Sequence, residues 1–485
     1  MRGRGASSTT APVSQPATAE FPTQPLPGLG ESWSRAPLRA ALLALAVAVA
    51  FADSSIVVLA LPQLLGDFET TITSVSWVVT SYNVAVAVLA LALIPFVRRL
   101  DAARLTRWGL VVFCAACVGC SVADGLAVLV TARAVQGAGA ALLLAGSVPL
   151  LGALCGSQRR GAALWAAAGV LGAAVGPALG GALTQAFDWR AIFIAQVPLA
   201  AAAIAATVRP PAAVAGPAPA AAGRDEARIP RLVSGIALAL ISAALVGALF
   251  LAVVLMIDGW GHEPLLAAAV VSTLPAGALV AAPVAGRSAP LVAVVGGILL
   301  VAGSLLAMAL LPEPSLAMLG TALALCGLGL GLCLPALTEA SLRGPSLSSA
   351  GTWSVGIRHA GLVLGLVLLT PLLAADLSGV EDRAKLAGAG ALISAPLSIQ
   401  DKVAVGTELE KAIDQAPRGE VPDLSAAVAA GGDPSSPGRV ELRERLERVI
   451  SDAITRGFRG AFELCALLAA LALIPVAALR GRGLR

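Results

Sequence analysis

Runs of about 20 apolar residues, the length an α-helix needs to cross ~30 Å of hydrocarbon, recur twelve times along this chain of 485 residues. Backbone groups in lipid must bond within their own segment, so runs of this length predict helices and not a barrel. Composition agrees: the chain is 58% hydrophobic and 13% charged, whereas a soluble globule carries about 25% charged residues. The expected fold is an all-α polytopic membrane protein of twelve transmembrane helices in two six-helix bundles.

The spacing of the runs divides the chain. Residues 1–36 are rich in Pro, Ser, Thr and Ala and read as a disordered tail without a cleavable signal. Six spans fill 37–208, a Pro/Ala linker covers 209–231, and five more spans fill 232–375, the fifth of them over 354–375. A polar stretch follows at 376–456, then a last span at 457–480 and a short tail at 481–485. Lys and Arg fall in every second connection: Arg98, Arg99, Arg104 and Arg107, then Arg159 and Arg160, then Arg224, Arg228 and Arg231. The intervening connections, such as GDFETT and FDW, are acidic or neutral and carry Trp77, Trp189 and Trp260 at interface depth. By the positive-inside rule both termini are cytoplasmic and the 376–456 stretch is extracytoplasmic. Within it RVELRERLERVISDAI and, more weakly, DKVAVGTELEKAID are amphipathic. The stretch reads as a helical hairpin or as a tether.

Few polar groups interrupt the spans. Asp53, Arg133 and Gln136 lie inside apolar runs, with Glu339, Arg358 and His359 placed at the cytoplasmic edges. An Arg at a span centre costs roughly 2.5–3.5 kcal/mol on insertion scales, so such a residue points to function. Burial disfavours a charged carboxyl and a neighbouring guanidinium favours it. A carboxyl set between those influences can load a proton on one side and release it on the other, which makes Asp53 and Arg133 the expected coupling pair. The other reading of Asp53 is an interface residue paired for stability. His359 is either a second proton site or a residue at the helix mouth. Tyr82, Asn83, Gln136 and Gln196 are the candidates to line a substrate cavity, while Trp165 and Trp353 read as interface anchors. Gly169, Gly172, Gly176 and Gly180, three and four apart, bare one helix face for close packing, with Pro177 as a local break.

Several functions are disfavoured. Cys114, Cys117 and Cys120 share a face, but no His or carboxylate joins them, so they read as packing residues and no metal site is expected. Two histidines without clustered acids do not supply an enzyme's acid and base. The net charge of +4 comes without an aromatic-laced basic patch, so no nucleic-acid partner is expected.

Six motifs in order carry a resemblance. ADSSIVVLALPQL, SWVVTSYNVA, TARAVQGAGAA, GAAVGPALGG, WRAIFIAQVP and SVGIRHAGLVLG, in spans 1, 2, 4, 5, 6 and 11, resemble the major facilitator superfamily, specifically its drug:proton antiporter branch related to fourteen-span multidrug exporters. The resemblance implies proton-coupled efflux of a small molecule by alternating access from a bacterial cytoplasmic membrane. It also implies a monomer in the bilayer that needs no cofactor beyond the proton gradient. It places Gly172, Gly176, Pro177, Gly180 and Gly181 on the antiporter motif, and Arg98, Arg99, Asp101 and Arg104 on the loop that closes the cytoplasmic side. That loop departs from the family, with Arg98 at a glycine position and Asp101 one place early, and there is no room for an extra pair of spans between the halves. A lipophilic drug or metabolite is the expected cargo. A lipid or metabolite transporter without drug specificity, or a receptor built on the large loop, stays open.

Overall fold

A computed structural model describes residues 30–209, 228–285, 287–342, 346–395, 397–415, 422, 424–430 and 432–478. Most of the N-terminal tail, most of the 209–231 linker and the 481–485 tail lie outside the described residues. Every regular element among the described residues is helical, and twelve helices are long and apolar enough to cross a membrane. Spans 1 to 6 are Ala36–Asp67, Ile72–Leu93, Ala102–Ser121, Leu126–Leu154, Gln158–Ala186 and Arg190–Thr207. Spans 7 to 10 are Pro230–Gly259, Pro264–Ala285, Pro290–Ala309 and Leu316–Ser341. Span 11 begins the helix Leu347–Ser378, and span 12 follows Phe458 as Arg459–Leu471 and Leu473–Ala478.

Local chemistry sets several of the starts. Thr71, Asp101, Ser157, Ser315 and Ser346 each accept a hydrogen bond from the backbone N–H three residues on, which satisfies a donor that the first turn leaves free. Span 1 tightens to a 3₁₀ turn at Val57–Ala60 before Pro62, where the ring removes a backbone donor. The first helix starts at Gly30, so residues 30–36 extend it instead of belonging to the tail. Likewise Arg228 to Arg231 open the helix of span 7 and are not linker.

Packing follows a sixfold offset. Spans 1 and 5, 2 and 4, 3 and 4, and 3 and 6 pack together, and the same pairings recur as 7 and 11, 8 and 10, 9 and 10, and 9 and 12. Each half is thus a bundle, and the halves meet through spans 2 and 11, 4 and 11, and 5 and 8. At the acidic end Gln185 Nε2 donates to Glu263 Oε2 at 3.0 Å and Leu265 N donates to Gln185 Oε1 at 2.9 Å, clasping span 5 to span 8.

The polar stretch is more than two helices. Val380–Ile393 continues span 11 past Gly379, then come Ile399–Gln415, the short Ser425–Ala429 and Pro437–Gly457, which runs into span 12. Val405, Leu409, Leu442, Leu446 and Ile450 are buried among them. Arg439 is the clasp. Its Nη1 donates to the carbonyls of Val428 and Ala430, both at 2.6 Å, and its Nη2 pairs with Asp401 at 3.4 Å. Removing one partner of a buried charged network costs about 3–5 kcal/mol, so Arg439→Met is expected to melt this unit well before the bundles. Limited proteolysis between residues 394 and 437 reads that loss.

Two tryptophans expected at the membrane interface are buried instead. Trp165 donates from Nε1 to Ser147 Oγ at 3.1 Å and meets Phe51 edge-on at 5.3 Å. Trp189 donates from Nε1 to Asp67 Oδ2 at 2.9 Å. In both cases a protein acceptor satisfies the indole N–H, which removes the need for water.

Candidate functional site

Asp53 faces inward from span 1 and is completely buried. Its Oδ2 pairs with Arg133 Nη1 of span 4. Its Oδ1 accepts from Gln196 Nε2 of span 6 at 2.9 Å and from Gln136 Nε2 at 3.1 Å. Arg133 and Gln136 are three residues apart on one helix, so both reach the same carboxylate. Arg133 Nη1 also donates to Gln136 Oε1 at 2.6 Å, and Arg133 Nε donates to Val78 O of span 2 at 2.9 Å. Both carboxylate oxygens are satisfied, which is what a buried charge requires.

Aromatic rings close over the cation. The guanidinium carbon of Arg133 lies 4.4 Å from the centroid of the Tyr82 ring and 5.6 Å from that of Phe193. Arg133 Nη2, buried without a hydrogen-bond partner, belongs to a cation stabilised by ring faces. The Tyr82 hydroxyl donates to Ala50 O at 2.8 Å. On the far side Gln136 Nε2 lies 3.2 Å from Cys117 Sγ, and Cys120 Sγ lies 3.6 Å from Gln136 Oε1. The two cysteines therefore help orient the amide.

Gln136, Gln196 and Tyr82 are thus buried and bonded into the first bundle. Asn83 does something different. Its Oδ1 receives Ser54 Oγ at 3.2 Å and lies 2.7 Å from His359 Nδ1 on span 11, so it joins the two bundles. Oδ1 can only accept, so the His359 tautomer in this bond carries its proton on Nδ1. The same ring stacks 6.4 Å from Phe51 and sits edge-on to Tyr82 at 6.3 Å. His359 is buried and lies twelve residues after Leu347, about 18 Å along the helix and level with Phe51, Tyr82 and Asn83. It is therefore well inside the helix and not at its first turn, because Ser346 caps this helix ahead of the apolar run.

The glycine stripe has a clear partner. A Cβ on Gly172 would strike the carbonyl of Ala48, one on Gly180 that of Ile56, and one on Gly169 would come to 3.1 Å from the Phe51 ring, all on span 1. Gly176 lies against Ser55 Oγ. Gly181 points the other way, onto Ala268 and Pro264 of span 8, so adjacent glycines serve packing within a bundle and between bundles. Pro177 is buried beside them.

Of the loop residues, Asp101 caps a helix by accepting from Arg104 N at 2.7 Å, while the side chains of Arg98, Arg99 and Arg104 are exposed and form no ion pair among the described residues. The arginine-rich end is tied within the first bundle by other residues. Arg107 donates to Thr207 O at 2.6 Å, and Arg39 Nη2 donates to Ala206 O at 3.0 Å.

The family model of the Major Facilitator Superfamily matches residues 43–370. The chain belongs to that superfamily. The facilitator fold is shared with the crystal structure of a bacterial homolog to the human lysosomal transporter Spinster in an inward-facing and occupied conformation. That match has a TM-score of 0.62 at 14% identity and covers 92% of this chain and 97% of the other. Curated relatives include a methylenomycin A resistance protein of Streptomyces coelicolor, 33% identical over 34% of this chain and 36% of that protein. They also include the multidrug efflux pump LfrA of Mycolicibacterium smegmatis, 33% identical over 35% of each chain. The drug efflux pump JefA of Mycobacterium tuberculosis is 32% identical over 32% of each. The matches span about a third of the length of these relatives. Membership makes this facilitator a multi-pass membrane transport protein and not an enzyme.

Proposed function

We propose that the protein exports a small, lipophilic drug or metabolite across a bacterial cytoplasmic membrane in exchange for protons, as a monomer with both termini inside. One observation carries this reading above the others: the carboxylate of Asp53 is the acidic partner of a buried ion pair whose every acceptor is engaged. The relatives named as drug efflux pumps supply the class of cargo.

The chemistry follows from the pair. A proton arriving on Asp53 Oδ2 cancels the charge that Arg133 faces and removes the acceptor of its Nη1 bond. The guanidinium is then a buried cation held only by Val78 O, Gln136 and two rings, an arrangement that favours a different position of span 4 against span 1. Span 4 also packs on span 11, so its displacement reaches the contact between the bundles. There the Asn83–His359 bond forms in one arrangement and breaks in the other. The glycine face of span 5 lets span 1 move without repacking large side chains.

A drug and metabolite susceptibility panel, run in a host stripped of its own exporters, tests the proposal. Expression is expected to raise the inhibitory concentration of at least one lipophilic compound several-fold, with Asp53→Asn as the inactive control. Equal protection by the wild type and the variant would remove the proton from the account.

A further inference from the structure

Arg358 stands beside His359 but differs from Arg133 in its surroundings. Among the described residues it has no hydrogen-bond or ion-pair partner, and its guanidinium carbon lies 5.5 Å from the centroid of the Phe51 ring. It lies eleven residues after Leu347, about 16 Å along the helix. An unpaired cation inside a helix bundle is disfavoured unless something compensates it. The charges nearby do not. Asp53 is committed to Arg133, Gln136 and Gln196, and Glu339 is exposed near the end of span 10.

The direction of the side chain follows from its neighbours on span 11. Gly351 packs on Val148 of span 4, whereas Gly361 and Gly365 pack on Ala239 and Ala243 of span 7. His359 faces span 2 through Asn83. At 100° per residue Arg358 falls between the face on span 4 and the face on span 7. It therefore points along the seam where the two bundles meet, and it is half-buried there, with the Phe51 ring beside it.

Resting on the export reading above, we infer that Arg358 is the anchor for an acidic group on the cargo, and that the preferred substrate is a lipophilic organic anion such as a carboxylate on an apolar body. A guanidinium offers a carboxylate two parallel donors. Phe51 supplies an apolar face next to it, and no free carboxylate among the described residues of the seam is placed to receive a cation.

Three fluorescent probes that share one body test this: dansylglycine carries a carboxylate, dansylamide is neutral and dansylcadaverine carries an ammonium. Binding to the purified full chain in nanodiscs is measured by fluorescence titration without a proton gradient. Dansylglycine is expected to bind saturably and about tenfold or more tightly than the other two, the scale of one charge-assisted pair. Arg358→Gln should erase that preference and Arg358→Lys should retain most of it, which separates loss of charge from loss of fold. Tightest binding of dansylcadaverine, survival of the preference in Arg358→Gln, or no saturable binding of dansylglycine would each overturn the inference. Because binding is read without a gradient, failure of proton coupling leaves the result intact. Proton-driven transport with no preference for the anion would sink this inference alone.

Discussion

Asp53→Asn is expected to lower proton-driven transport by about 100-fold or more, equivalent to roughly 2.7 kcal/mol at 1.36 kcal/mol per decade, while the protein still inserts and folds. Asparagine keeps the size of the side chain, and its oxygen can still accept from Gln136 or Gln196, the donors that now serve Oδ1. What it removes is the countercharge to Arg133 and the site for the proton. Leaving a buried cation unpaired costs about 3–5 kcal/mol, so a lower melting temperature accompanies the loss of transport. A second variant separates the two effects. Asp53→Asn with Arg133→Gln removes both charges, so stability should return towards the wild type whereas proton-driven transport should not. If restoring stability also restored transport, Asp53 would be a structural residue and nothing more.

The second large effect is expected at Gly172. A side chain there meets the backbone carbonyl of Ala48, which cannot turn aside, whereas one at Gly176 meets the hydroxyl of Ser55, which can. Overpacking a tight core costs about 1–3 kcal/mol even when side chains can adjust. Gly172→Leu must instead push spans 1 and 5 apart, and span 1 carries Asp53. Transport is expected to be abolished and the yield of folded protein to drop sharply. Gly176→Ala should impair transport mildly, and Ser55→Ala in the same chain should relieve it. Uptake assays beside thermal denaturation in detergent measure both. Wild-type transport by Gly172→Leu would show that the contact is looser than the backbone distances require.

The architecture was legible in the sequence because lipid permits so few solutions. Run length alone gave twelve helices, and twelve helices of that length and composition stand among the described residues. Asp53 and Arg133 stood out because a charge inside an apolar run is conspicuous, and the structure shows them paired. The start of span 11 was harder to read. Its helix begins at Leu347, seven residues before the run read from hydropathy, because polar SLSS and Thr352 sit on a helix that packs against protein and so need not be apolar. Arg358 and His359 therefore stand eleven and twelve residues inside that helix. The third long helix of the polar unit, VEDRAKLAGAGALI, was missed because its alanines and glycines give little periodicity. The indole of Trp165 reads as an interface anchor, since an acceptor supplied by another helix leaves no trace in the local sequence.

Some contacts arise only from the meeting of distant segments. Asn83 and His359 are 276 residues apart, and neither carries a local signal that it bonds the other. The same holds for Cys117 and Cys120, which read as packing residues and prove to touch the amide that binds Asp53. The departure of the Arg98 to Arg104 loop from its family pattern fits the structure more directly, since Asp101 is occupied as a helix cap.

The central claim is that a proton on Asp53 drives the exchange. Purified protein is reconstituted in vesicles that enclose a pH-sensitive dye, an inward proton gradient is set, and a transported compound from the susceptibility panel is added. Wild-type protein is predicted to pass protons only when the compound is present, and Asp53→Asn to pass none above empty vesicles. Compound-dependent proton flow of equal size through Asp53→Asn would contradict the account.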